Sequence, residues 1–305
     1  MNWFLKYLTS NNPKRTVTRA GLHFRKAIYP LVRRLSGPLT DVEGVLERAE
    51  PMPAGPKIFA VTHTYSREDI AWAISLAGEQ SYLLTNAWRE LLYTLDGLAL
   101  WASGIILVDR YDKENRRASI EKAKRVLELG GNVMIFPEAV WNMSENLLVR
   151  KLYPGVYRIA ALTKAPVIPI STMMYGDMFY VSKGQALYLH LLEQGEAIGQ
   201  LRDALATLKW ELMEKYGADT RDNLLQGQTP SDYWNEHIES YIAKQKVYER
   251  EEENHAHFMD AADIEQAQAF EHLAFLKPNP NNAFLFNKDL YPSLLEEKTC
   301  LRTSP

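Results

Sequence analysis

The chain is nearly without cysteine: Cys300, in a polar tail, is the single one in 305 residues. One thiol cannot close an internal disulfide, so a disulfide-stapled fold is excluded and a reducing compartment is expected. Acids are missing from one end. Residues 1–40 hold none, against the bases Lys6, Lys14, Arg15, Arg19, Arg25, Lys26, Arg33 and Arg34, whereas acids predominate from Glu249 onward. The net charge is only −3, which argues against a nucleic-acid binder. Charge sorted in this way predicts one basic face that meets an anionic surface. Long apolar runs are also absent. The best stretch, Leu91 to Val108, is interrupted by Asp96 and by small or polar residues, too broken to span a bilayer. No signal peptide is expected, because Lys6 interrupts the first apolar residues and Asn11-Asn12-Pro13-Lys14-Arg15 follows. A cytoplasmic protein that meets a membrane from its surface is the expectation. No internal repeat is present.

Between Val42 and Tyr216, short apolar runs rich in β-branched residues occur at Lys57–Val61, Gly104–Val108, Asn132–Phe136 and Pro166–Ile170. Helical patterns separate them. Ile120, Ala123 and Leu127 share a face that Gly130-Gly131 closes, and Leu201, Ala204, Leu205, Leu208 and Leu212 form a second stripe before Gly217. Strand–helix alternation predicts an α/β fold with a largely parallel sheet flanked by helices over residues 41–217. A basic helical segment, 1–40, precedes it, and a helical extension, 218–305, follows. In the basic segment, Trp3-Phe4-Leu5 and His23-Phe24-Arg25-Lys26-Ala27-Ile28-Tyr29 mix aromatics with bases. Such a segment either lies at a lipid interface or packs on the domain with its basic side solvated. In the extension, Thr229-Pro230-Ser231-Asp232 reads as a helix start and 249–253 as a solvated charge run. His255 and His257 match no strong ligand spacing, and no metal is expected.

His63 ends the run Ile58-Phe59-Ala60-Val61-Thr62, and Glu68 and Asp69 follow about one and a half helical turns later. An imidazole at a strand end is well placed for chemistry in an α/β sheet, and a carboxylate partner would fix its tautomer for general-base work. Ser66 is more simply a helix cap, and Asp109 a cap for the turn before the next helix. Glu138, directly after Phe136-Pro137, is costly to bury unless paired.

Four blocks then stand in order: Thr62-His63 with Glu68-Asp69; Gly104-Ile105-Ile106-Leu107-Val108-Asp109-Arg110; Phe136-Pro137-Glu138-Ala139, with Gly155 further on; and Val167-Ile168-Pro169-Ile170. Their order and spacing resemble the glycerolipid acyltransferase superfamily, which includes the lysophosphatidic acid acyltransferases. Leu201–Tyr216 looks like the helix after this core in a bacterial branch of that family. The resemblance implies an O-acyltransferase of phospholipid synthesis with acyl-CoA or acyl carrier protein as cosubstrate, no bound cofactor and a lysophospholipid-like acceptor. It implies His63 as general base, Arg110 on an anionic head group, and Glu138 and Gly155 in the acceptor pocket.

The chain departs from the family pattern in three places. Glu68 occupies the aspartate position; Asp69 fits only with a one-residue bulge, and register favours Glu68. Ala139 takes the place of a glycine, a small change on paper. Val140-Trp141-Asn142 replaces the arginine that usually follows, leaving Arg150 and Lys151 as candidate phosphate ligands. Trp-Asn stands here in the bacterial branch as well. A non-catalytic lipid-binding homologue and an N-acyltransferase with an amine acceptor are the alternatives.

Overall fold

The structure, a computed structural model, describes residues 10–36, 40, 42–63, 67–86, 95–109, 112–139, 142, 148–175 and 177–217. The expected extension, 218–305, lies outside the described residues, and so do Lys6, Ser66 and Arg110.

The first described helices are α1 (Pro13–Thr16) and α2 (Arg19–Ser36). The sheet is built from β1 (Glu43–Ala49), β2 (Ile58–Val61), β3 (Ser81–Asn86), β4 (Ile105–Val108), β5 (Asn132–Ile135), β6 (Val167–Tyr175) and β7 (Met178–Lys183). The crossover helices are α3 (Arg67–Leu76), α4 (Leu95–Ser103), α5 (Lys113–Glu128) and α6 (Gly155–Thr163), and α7 (Gln194–Leu212) follows the sheet. The strand order is β1-β7-β6-β2-β5-β3-β4. All neighbours are parallel except the β6–β7 hairpin. The largely parallel sheet flanked by helices is as the sequence predicts.

Four of these strands coincide with the four apolar runs. β2 sits at the centre, and all four of its residues are buried. Parallel strands covered on both faces become continuous hydrophobic runs, which is why this strand is readable. β1, with the sequence Glu-Gly-Val-Leu-Glu-Arg-Ala, is an edge strand of mixed polarity, and no run marked it. β3 and β7 were likewise unmarked. Gly44 in β1 has no room for a side chain, because the Trp72 ring of α3 lies against it.

α5 begins at Asp112, whose carboxylate accepts from the N–H groups of Glu114 and Asn115. Asp112 is thus the helix cap, and the Asp109 N–H donates to Asn115 Oδ1 at 2.8 Å. α2 packs on α3 and α4, and two of its bases serve the fold. Arg25 is buried, donates to the carbonyls of Gly21 and Trp101, and lies over the rings of Tyr82 and Trp101. Lys26 donates to the Gly130 carbonyl beyond the end of α5. The basic segment is thus only in part a free basic face.

Candidate active site

In the sheet, β2 lies between β5 and β6, and all three run in parallel. Their carboxyl ends bring His63, just beyond β2, beside Thr172 in β6 and Glu138 beyond β5. α3 starts a few residues after His63, with Glu68 and Asp69 in its first turn, where the helix dipole favours negative charge. Asp69 is fully buried on the same face as Ala73 and Ala77. Its Oδ2 lies 3.1 Å from His63 Nδ1, and its Oδ1 accepts a 2.7 Å bond from Thr172 Oγ1. Thr62 Oγ1 in turn accepts from the Thr172 N–H at 3.0 Å. The preference for Glu68 is therefore corrected: the chain carries one more residue between histidine and carboxylate than the family spacing, and the helix register turns Asp69 inward. Glu68 is buried next to it but does not provide this contact.

The His63 ring stacks on Phe136 with centroids 4.3 Å apart, and 13% of its side chain remains exposed. Asp69 at Nδ1 selects the tautomer with the proton there, which makes Nε2 the proton acceptor.

Glu138 is completely buried. Its Oε1 accepts from the His63 N–H at 2.9 Å and its Oε2 from the Arg150 N–H at 2.8 Å. Burial raises its pKa; the charge of Lys209 and the two backbone donors oppose that rise. Its contacts are with the backbone, so it is a strut that fixes His63 and the loop of Arg150, not a lining of an open pocket. The Asn142 N–H completes the hold on the His63 backbone by donating to its carbonyl at 2.6 Å.

Ala139 has φ of 61°, in the left-handed region where a Cβ is strained. Exchanging the family's glycine for alanine is therefore a conformational cost, not a small change. Arg150 is buried, Lys151 half-buried, and Gly155 opens α6 after Pro154. Asp109 follows β4, three strand spacings from β2, about 14 Å along the sheet. Residues 104–109 of the second block thus stand apart from the His63 cluster.

Sequence reading missed Thr172 and Lys209. Thr172 lies inside an apolar strand. Lys209 lies on α7 and is 4% exposed. Burial lowers its pKa, against the attraction of Glu138 and then Asp69. The available signal was a lysine within the apolar stripe Leu205, Leu208, Leu212. Among the described residues no cluster suited to a metal ion occurs.

Residues 45–173 match the acyltransferase family model, the same stretch that holds the His63–Asp69 pair and Glu138. That stretch is similar to the acyltransferase family over less than half of the chain. The chain is similar in fold to the 1-acyl-sn-glycerophosphate (LPA) acyltransferase PlsC of Thermotoga maritima. The TM-score is 0.50 and the identity 16%, over 62% of this chain and 80% of that one. No curated protein matches it.

Proposed function

We propose that the protein is an O-acyltransferase that moves a fatty acyl group from acyl-CoA or acyl carrier protein to the hydroxyl of a lysophospholipid or related acceptor. The reading rests on the buried Asp69 carboxylate at His63 Nδ1, with the ring partly open to solvent. In this mechanism Nε2 takes the acceptor's hydroxyl proton as the oxygen attacks the thioester carbonyl. The carbon–sulfur bond then breaks, and the departing thiolate takes the proton from the imidazolium. The new ester and a free thiol are the products, with no covalent enzyme intermediate.

Arg110, after β4, and Lys151 are the proposed ligands of an anionic acceptor head group. Asp109, the residue before Arg110 in the sequence, follows β4 three strand spacings from β2, about 14 Å, which suits an elongated acceptor such as a lysophospholipid. The Thermotoga enzyme is named for 1-acyl-sn-glycerophosphate, an acceptor of this class. α2 would deliver the site to an anionic cytoplasmic membrane surface. Its exposed Phe24, Leu31 and Leu35 share one helix face by spacing; exposed Arg34 borders that face, and exposed Arg19 and Arg33 lie further round the helix.

Thiol release from acyl-CoA and from acyl carrier protein, against lysophospholipid, alcohol and amine acceptors, tests the reading. Release dependent on a lysophospholipid, and lowered roughly 10²–10⁴-fold in folded His63→Ala, is the expected result. Acceptor-independent release, or full activity in that variant, defeats it.

A further inference from the structure

α7 lies wholly beyond the matched residues 45–173, yet it is bound into the site from three positions on one face. Arg202, Leu205 and Lys209 are spaced three and four residues apart, so they project to the same side of the helix. Arg202 donates to the Val149 carbonyl at 3.1 Å. Val149 immediately precedes Arg150, whose N–H holds Glu138. The Leu205 carbonyl accepts from Ser171 Oγ at 2.6 Å, and Ser171 immediately precedes Thr172, which holds Asp69. Lys209, the third, is buried and interacts electrostatically with both carboxylates, Glu138 foremost. α7 thus braces the two backbone segments that position the carboxylates and carries a buried lysine on the face turned toward them.

That lysine bears on the charge of the site. Asp69 and Glu138 are both fully buried, and two buried carboxylates cannot both stay ionised without opposite charge nearby. The groups of opposite charge that act on Glu138 are Lys209 from α7 and His63 beyond β2, and Lys209 acts on Asp69 as well. Each carboxylate is needed as an acceptor: Asp69 at the His63 ring and at Thr172, Glu138 at the N–H groups of His63 and Arg150. If either carboxylate took up a proton, one of its oxygens would become a donor facing a donor, and one hold on His63 would be lost.

We propose that Lys209 is a positioning residue for His63, acting through Glu138 and Asp69, and that α7 is therefore part of the catalytic unit although it lies beyond the matched acyltransferase domain. The proposal rests on the acyl-transfer reading for its kinetic consequence but not for its structural one. Lys209 touches no reacting atom; it keeps the acceptors that orient the base.

The 305-residue protein carrying Lys209→Met, Lys209→Arg or Leu212→Ala is to be compared with the parent. Leu212→Ala opens the buried packing of α7 without changing charge or any of the three bracing positions and serves as the packing control. The readouts are kcat and KM for thiol release, the melting temperature, and the NMR signals of His63: its ring nitrogens, assigned by difference from His63→Gln, and the exchange of its backbone amide. Lys209→Met is expected to lower kcat roughly 10–10²-fold, as for a lost buried charge-assisted contact, with KM within about twofold. It is also expected to alter the His63 ring pattern or speed its amide exchange. Lys209→Arg, which keeps the charge, should recover part of kcat and more of the parent His63 signals. Leu212→Ala should lower the melting temperature while leaving kcat of the folded enzyme near that of the parent.

Unchanged His63 signals in folded Lys209→Met overturn the proposal whatever the activity, as does a loss of kcat equal in Lys209→Met and Lys209→Arg. If the parent releases no thiol with any acceptor while Lys209→Met still disturbs His63, the acyl-transfer reading fails and the positioning stands.

Discussion

Thr172 donates a 2.7 Å hydrogen bond to Asp69 Oδ1, and the other oxygen of that carboxylate is left for His63 Nδ1 at 3.1 Å. The donor comes from a central strand and the acceptor from the first turn of a helix. The carboxylate is thereby fixed from both layers of the fold before it meets the ring. A single rotamer suffices for both contacts, and the imidazole inherits that rigidity.

Asp69→Asn is therefore expected to lower kcat by roughly 10²-fold or more, through loss of the imidazolium's counter-charge and of the tautomer it selects. Thr172→Val should cost about tenfold, the effect of one hydrogen bond to a charged group. Glu68→Gln should change kcat by less than about threefold. Steady-state kinetics on the three folded variants decide it; a larger loss in Glu68→Gln than in Asp69→Asn would reassign the partner.

The sheet was legible where strands are buried on both faces, as Ile58–Val61 and Asn132–Ile135 are, because burial on two sides forces a continuous apolar run. Glu43–Ala49 at the edge has no such constraint, and its pairing with β7 is set by tertiary packing. His63 and Glu138 were legible because each follows a buried strand directly. The choice between Glu68 and Asp69 was not, because one added residue in the loop before α3 rotates the helix by about 100°, and spacing counted along the chain does not show that. Lys209 escaped for a different reason: its carboxylate partners lie on other elements, and only the folded sheet brings them to it.

Ala139 offers a test of backbone strain. Its φ of 61° costs an L residue about 1–2 kcal/mol relative to glycine, and part of that is offset by the greater freedom of glycine in the unfolded chain. Ala139→Gly is expected to raise stability by about 0.5–1 kcal/mol, or ~2 °C in Tm, with kcat within about twofold. Denaturant unfolding measures it. A loss of stability would mean that the turn around Glu138 relies on the alanine side chain.

Lys122, on α5, is buried, and among the described residues no hydrogen-bond partner meets its Nζ. Burial lowers its pKa from 10.5 to about 8. Below about pH 8 the lysine is charged in both folded and unfolded chains, and the folded state bears the full cost of burying the charge. Between about 8 and 10.5 the unfolded chain binds more protons than the folded one, so this group's contribution to stability rises with pH. Lys122→Met should stabilise the protein at pH 7 by about 1–3 kcal/mol, the cost of an unmet buried polar group. The gain should shrink as pH rises through that window. Unfolding curves at pH 7, 9 and 10.5 check the sign; a gain that grows with pH would contradict it.

The face of α2 separates two kinds of basic residue. Arg25 is enclosed by Tyr82, Trp101 and the Trp101 carbonyl, so Arg25→Ala should lower Tm by several degrees. Its effect on lipid binding by the folded protein should be slight. Arg33 and Arg34 are exposed at the end of the helix, near the exposed Leu31 and Leu35. With each base near an anionic surface contributing roughly 1 kcal/mol, Arg33→Glu with Arg34→Glu should weaken binding to phosphatidylserine-containing vesicles by tenfold or more. The loss should be largest at low salt, because the attraction is screened within about 8–10 Å at moderate ionic strength. Leu31→Ser with Leu35→Ser should weaken binding at every salt concentration, since the burial of apolar area does not depend on charge screening. Vesicle sedimentation across a salt series separates the two effects. Binding indifferent to salt and to both pairs of substitutions would remove α2 as the membrane-facing element.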